Sequence, residues 1–181
     1  PLQRLAVDGV LPGALTTERS PNQRPPCRPD LHRLGFISNR SGAAQVWSLN
    51  ADGTQPKQIT SIATEADGVL FSPDGKKLVF TSSVYPDCPD DNCNRDRLEA
   101  EKQNKVKART YTTLLYRHWP DWQGKRLSHL LVVAVVGGTA KDLTPGNNDV
   151  PPFSLCGADD YAISPDSTHL CYVMNGDSLP A

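Results

Sequence analysis

Three consecutive side chains, Arg117, His118 and Trp119, place a guanidinium, an imidazole and an indole within a stretch rich in strand-forming residues, Tyr111 to Trp122. A guanidinium beside an aromatic ring can hold a peptide carboxylate or carbonyl, which makes these residues candidates for contact with a substrate or with another domain. The competing reading is a strand whose alternate residues pack on the sheet beneath. Nucleophilic chemistry finds less support. A serine hydrolase of the α/β type needs its serine on a Gly-x-Ser-x-Gly elbow, and the sequence contains no such pentapeptide. No catalytic residue is therefore assigned.

Five cysteines, Cys27, Cys88, Cys93, Cys156 and Cys171, include no pair of Cys-x-x-Cys motifs, so a zinc ribbon is not expected. Cys88 and Cys93 bracket Pro-Asp-Asp-Asn, a turn-forming stretch that either closes a small disulfide, favouring an oxidising compartment, or carries two free thiols in a polar loop. Cys27, Cys156 and Cys171 read as packing residues. His32, His118, His129 and His169 lack metal-ligand spacing, and Asp87, Asp90 and Asp91 lack the alternation of a calcium loop, so they read as solvated loop acids. Asp159-Asp160-Tyr161 reads as the entry to a strand. Gly137-Gly138 lies between strands rather than before a helix, so it is no phosphate loop. No cofactor or metal is expected.

Charge narrows the partners only weakly. With 19 basic against 20 acidic side chains, no global field favours nucleic acid or an anionic membrane. The longest apolar run, Leu130 to Val136, is strand-sized, and no membrane insertion is expected. Pro1-Leu2-Gln3-Arg4 has no signal-peptide pattern.

The elements that position these residues emerge from a repeat. Phe71-Ser72-Pro73-Asp74-Gly75-Lys76-Lys77-Leu78-Val79-Phe80 reads as strand, tight turn, strand, since Pro presets φ and Gly supplies the positive-φ position. Weaker copies stand at Cys27–Ser38 and Ile163–Val173. A second phrase follows the first two copies: Gln45-Val46-Trp47-Ser48-Leu49 to Lys57-Gln58-Ile59-Thr60, and His129–Gly138 to Lys141-Asp142-Leu143-Thr144. Four strands at a period of 44 residues, Pro29 to Pro73, match one blade of a β-propeller. The next interval, 92 residues from Pro73 to Pro165, fits one blade carrying an insertion.

The expected architecture is all-β: a partial β-propeller of about two and a half four-stranded blades, with a helix-and-hairpin insertion in one blade. Residues 1–30 are expected to form an irregular segment with the end of a preceding blade, because Pro21 to Pro29 is proline-rich. Residues 31–66 form a blade, 67–144 a blade with its insertion at 84–127, and 145–181 a partial blade. Within the insertion, Arg95 to Ala108 has helix-forming composition, and Tyr111 to Trp122 suits an extended hairpin.

Phe36-Ile37-Ser38-Asn39-Arg40, Gln45-Val46-Trp47, Phe71-Ser72-Pro73-Asp74-Gly75, Leu115-Tyr116-Arg117-His118-Trp119, Lys141-Asp142-Leu143-Thr144-Pro145-Gly146 and Pro151-Pro152-Phe153-Ser154-Leu155 together resemble the propeller of bacterial dipeptidyl aminopeptidases and acylaminoacyl peptidases of the prolyl oligopeptidase family. The sequence departs from that pattern at Cys27-Arg28-Pro29-Asp30-Leu31 and at Cys156. The resemblance implies a periplasmic or secreted serine exopeptidase in which the propeller gates short peptides toward a C-terminal α/β-hydrolase domain. That domain would be the partner of this chain. The propeller of the translocation protein TolB shares the Ser-Pro-Asp-Gly phrases, so a protein-binding scaffold is the alternative.

Overall fold

A computed structural model of the chain describes residues 3–4, 13–14, 22–23, 32–106, 108, 110–111, 117–118, 121–122, 124–152, 160–174 and 176. In chain order the strands are β1 (Gln3–Arg4), β2 (Gly13–Ala14), β3 (Asn22–Gln23), β4 (Arg33–Ser38), β5 (Gln45–Asn50), β6 (Lys57–Gln58), β7 (Asp67–Phe71) and β8 (Lys77–Val84). Helix α1 (Asp91–Gln103) follows, then β9 (Arg117–His118), β10 (Asp121–Trp122), β11 (Leu127–Ala134), β12 (Lys141–Asp142), β13 (Tyr161–Ile163) and β14 (Leu170–Tyr172).

Two antiparallel four-stranded sheets carry the fold, ordered β3-β4-β5-β6 and β7-β8-β11-β12. The hairpin β13-β14 begins a third. This is the partial propeller that the repeat predicts, each sheet being one blade.

Burial explains why the central strands read as apolar runs. Alternate residues of β8 enter different interfaces: Leu78 and Phe80 join Ile37, Val46 and Ile59 of the first blade, whereas Val79 joins Leu130, Val150 and Tyr161 on the third-blade side. A blade sandwiched on both faces has no polar side to alternate with.

The first blade reaches back further than residue 31. Gln23 pairs with Ile37 and Asn22 with Ser38, so the blade takes an inner strand from the proline-rich stretch read as irregular. Asn22 and Gln23 lie between Pro21 and Pro25, and two residues with free N–H groups are enough for a short ladder. The turn at Cys27–Leu31, Cys156 and the Pro152-Phe153-Ser154-Leu155 phrase beyond Pro152 lie outside the described residues.

Side chains wire the Ser-Pro-Asp turn twice over. In the second blade the Ser72 hydroxyl donates to Asp74, while the Lys76 and Lys77 N–H groups donate to Asp74 Oδ1 and Ser72 Oγ at 3.0 and 2.9 Å. In the third, Ser164 donates to Asp166, and the Thr168 and His169 N–H groups donate to Asp166 Oδ1 and Ser164 Oγ at 3.0 and 2.9 Å. The positive-φ position is Gly75 (+66°) in one and Ser167 (+61°) in the other. Serine bears the steric cost there. Its hydroxyl accepts from the Asp74 N–H at 2.9 Å, tying the two turns together.

The insertion leaves where the β8–β11 ladder ends, at the pair Val84↔Leu127. Its helix starts four residues before Arg95 and stops at Gln103 rather than Ala108. Asp90 sets the start: its carboxylate accepts from the Cys93 N–H at 2.9 Å as an N-cap. The acids near the cysteines are thus structural anchors, not merely solvated. Asp91 accepts from the Ala63 N–H of the first blade at 2.8 Å, and Asp87 forms a two-bond pair with Arg97.

Candidate functional site

Cys88 and Cys93 are joined as a disulfide across the first turn of α1. Just before it, Tyr85 is buried with its N–H donating to Asn94 Oδ1 at 2.9 Å. Burial and then the neighbouring Glu101 carboxylate push the Tyr85 phenol up to about 12. Disulfide, cap and tyrosine together fix the insertion's departure from the blade.

At that point of departure a cavity of about 480 Å³ opens between the first two blades, lined among others by Asn39, Glu65, Asp67, Ser83, Arg126 and Ser128. Glu65 carries an exposed carboxylate on a backbone of φ +67°, unusual for a residue with a Cβ. Hydrogen bonds at both ends of the peptide group that follows hold it: Ser82 Oγ donates to its carbonyl at 2.5 Å, and the Ala66 N–H donates to Ala44 O at 2.8 Å. Strain held this way at a cavity rim is common at functional sites. Glu65 and Asp67 supply negative charge and Arg126 positive, so the cavity can receive a ligand bearing both.

The arm beyond the helix carries the sequence-predicted trio. Arg117 pairs with Trp122 and His118 with Asp121 in the β9–β10 ladder. The Arg117 guanidinium carbon lies 5.0 Å from the Trp122 ring centroid, and Tyr111 stacks on Trp122 at 5.9 Å. Arg117 thus belongs to a stack with Tyr111 and Trp122, neither of which was singled out from sequence; the strand register sets Arg117 opposite Trp122. Trp119 lies outside the described residues.

His129 is buried on β11, with Nδ1 2.6 Å from Asp142 Oδ2 and Nε2 3.1 Å from the Gly146 carbonyl oxygen. A histidine activating a serine needs a free nitrogen facing the hydroxyl, and Nε2 faces a carbonyl instead. This pair therefore bolts β12 and its following loop onto β11. Cys171, read as a packing residue, is instead an exposed free thiol on β14, whose Tyr172 is exposed as well. Cys27 lies outside the described residues. Among the described residues no group of three or more His, Cys, Asp or Glu side chains could hold a metal ion.

The sequence is 29% identical over 147 residues to a dipeptidyl-peptidase 5 of Porphyromonas endodontalis, covering 79% of this chain and 20% of that protein. It is 30% identical over 179 residues to a dipeptidyl-peptidase 5 of Porphyromonas gingivalis, covering 92% of this chain and 24% of that protein. The chain is a partial β-propeller related to these peptidases. It spans 20 to 24% of the length of these curated relatives. The solved structure of a TolB from Agrobacterium tumefaciens matches the propeller with a TM-score of 0.53 and 20% identity over 78% of this chain and 40% of that one, a likeness of fold. No family model matches the sequence. Among the described residues no helix of the propeller is long and apolar enough to cross a membrane.

Proposed function

We propose that this propeller is the noncatalytic part of a serine exopeptidase, admitting short peptides to an α/β-hydrolase domain carried elsewhere in the same polypeptide. The observation that carries the reading is the match of 79% and 92% of the chain to only 20% and 24% of two dipeptidyl-peptidase 5 proteins. Three features support it. The sequence has no Gly-x-Ser-x-Gly elbow, so the serine comes from another domain. The cavity of Asn39, Glu65, Asp67 and Arg126 offers both charges to a peptide's polar ends. The hairpin with Arg117 and Trp122 presents a stacked guanidinium and indole as a further candidate contact for the hydrolase domain or the peptide chain.

The Cys88–Cys93 disulfide supports an oxidising location, periplasmic or secreted. The test is hydrolysis of dipeptidyl and acyl-aminoacyl chromogenic substrates by the chain alone and by the chain mixed with the hydrolase domain of a dipeptidyl-peptidase 5. Activity altered only in the mixture is expected. Activity of the chain alone, blocked by a serine-directed inhibitor, would overturn the noncatalytic assignment, and no effect in either would favour the TolB-like binding scaffold.

A further inference from the structure

The loop between β6 and β7 is a wall shared by two cavities. Thr64, Glu65 and Asp67 line the cavity of about 480 Å³, and Thr64 with Ser61 and Ile62 also lines a second one of about 1020 Å³, together with Cys88, Asp90 and Asp91. The blades hold this wall through Ser82 Oγ, which meets Thr64 Oγ1 at 2.6 Å and donates to Glu65 O, and through the Ala66 N–H bond to Ala44 O. The insertion holds it through the Ala63 N–H, which donates to Asp91 Oδ1 at 2.8 Å. A residue with a Cβ keeps a φ of +67°, as Glu65 does, only where its surroundings over-determine it. Loosening one of these bonds therefore lets the rim relax.

Asp91 lies inside the ring that the Cys88–Cys93 disulfide closes. While that bond is intact, the ring holds the carboxylate against Ala63. Once it opens, Asp91 is placed only by its ion pair with Arg95, the Asp90 cap and the Asn94 bond to the Tyr85 N–H. The basic member of the cavity belongs to the same insertion: Arg126 immediately precedes Leu127, where the chain rejoins the blade opposite Val84. Both cysteines are half-buried rather than sealed, and Cys88 faces the larger cavity.

We infer that Cys88–Cys93 is a redox latch on the smaller cavity, whose reduction releases the Glu65 rim and weakens capture of a peptide there. This regulation rests on the reading of that cavity as a peptide site. The step is thiol–disulfide exchange with a dithiol: one of its thiolates attacks a sulfur of the pair, and the Cys88–Cys93 bond breaks. Both cysteines become thiols, taking two electrons and two protons, and the dithiol closes to its own disulfide.

The test compares the full 181-residue chain, oxidised and reduced with excess dithiothreitol, by hydrogen exchange. Reduction is expected to speed exchange of the Ala63 and Ala66 amides about tenfold while leaving β4 and β5 unchanged. The Cys88→Ser, Cys93→Ser chain should be fast from the start and ignore the reductant, which separates this pair from the other cysteines. Asp91→Ala, with the disulfide intact, should be fast at both amides and lose the response. Asp91→Asn keeps an acceptor for Ala63 and should behave as the parent chain. The dipeptide Ala-Ala, titrated into both forms, is expected to bind the oxidised chain several-fold more tightly. An unmoved rim after reduction, an Asp91→Ala rim that still answers the reductant in full, or equal affinity of the two forms for Ala-Ala would each overturn the inference. Binding of Ala-Ala to neither form would instead refute the cavity as a peptide site, and exchange at the rim then decides the latch by itself.

Discussion

The Tyr161 hydroxyl lies 2.8 Å from the Val79 carbonyl oxygen, reaching from the third blade into the second. It also meets the carbonyl of Gly68, whose φ of +57° belongs to the irregularity that shifts the β7 register between Asp67 and Leu70. A bulge in one blade thus presents backbone oxygen to the next. Tyr161→Phe keeps the ring in its cluster and removes the donor, so it is expected to cost about 1–2 kcal/mol. Urea unfolding of the two proteins checks it. An unchanged midpoint would mean that ring packing alone joins the blades.

Reduction of Cys88–Cys93, or the Cys88→Ser and Cys93→Ser pair, should weaken the insertion more than the blades. Six residues close the loop, and its entropy in the unfolded chain corresponds to about 2 kcal/mol. Faster hydrogen exchange over Asp91–Gln103, with β8 and β11 little changed, is the expected pattern. Uniform loss across both would mean that the staple supports the whole blade.

His129→Ala removes two bonds whose partners, the Asp142 carboxylate and the Gly146 carbonyl, are both acceptors. Losing a bond to a carboxylate costs about 1.5–3 kcal/mol, and an empty buried site adds to it. Thermal unfolding should report the loss, and exchange should quicken first at Lys141–Asp142. Retained protection there would show that the β12 ladder and the Thr144 contacts suffice.

Acid should loosen the two Ser-Pro-Asp turns. Hydrogen bonds from Ser72 and then the Lys76 N–H hold Asp74 below the usual carboxylate range, and those from Ser164 and Thr168 do the same for Asp166. A carboxyl whose folded value is lowered contributes stability above its unfolded value, here near 3.8, and loses it as pH falls through the lowered one. The Asp74→Asn, Asp166→Asn protein is therefore expected to show a shallower fall in stability below about pH 4 than the parent chain. Identical acid profiles would contradict this.

The legible parts of the fold were those set by near neighbours. Ser72, Pro73 and Asp74 build their turn within six residues, so its recurrence at Ser164 could be read directly, as could the insertion from the 92-residue spacing. What escaped reading depends on distant contacts. Tyr161 finds Val79 across 82 positions, and Asp91 finds Ala63 across 28, so neither partner is written near the residue that needs it. Glu65 shows the same limit at the candidate site: nothing in Thr-Glu-Ala announces a positive φ, which is held by Ser82 on β8 and by Ala44 just before β5. Arg117 was legible as chemistry, but its stacking on Trp122 required the hairpin register.

The gating role is tested most directly by substrate size. The hydrolase domain of a dipeptidyl-peptidase 5, alone and then with this chain bound, would be given a dipeptidyl amide and an unfolded protein. With the chain present, cleavage of the unfolded protein should fall by an order of magnitude or more relative to the dipeptidyl amide. An unchanged ratio between the two substrates would contradict the account.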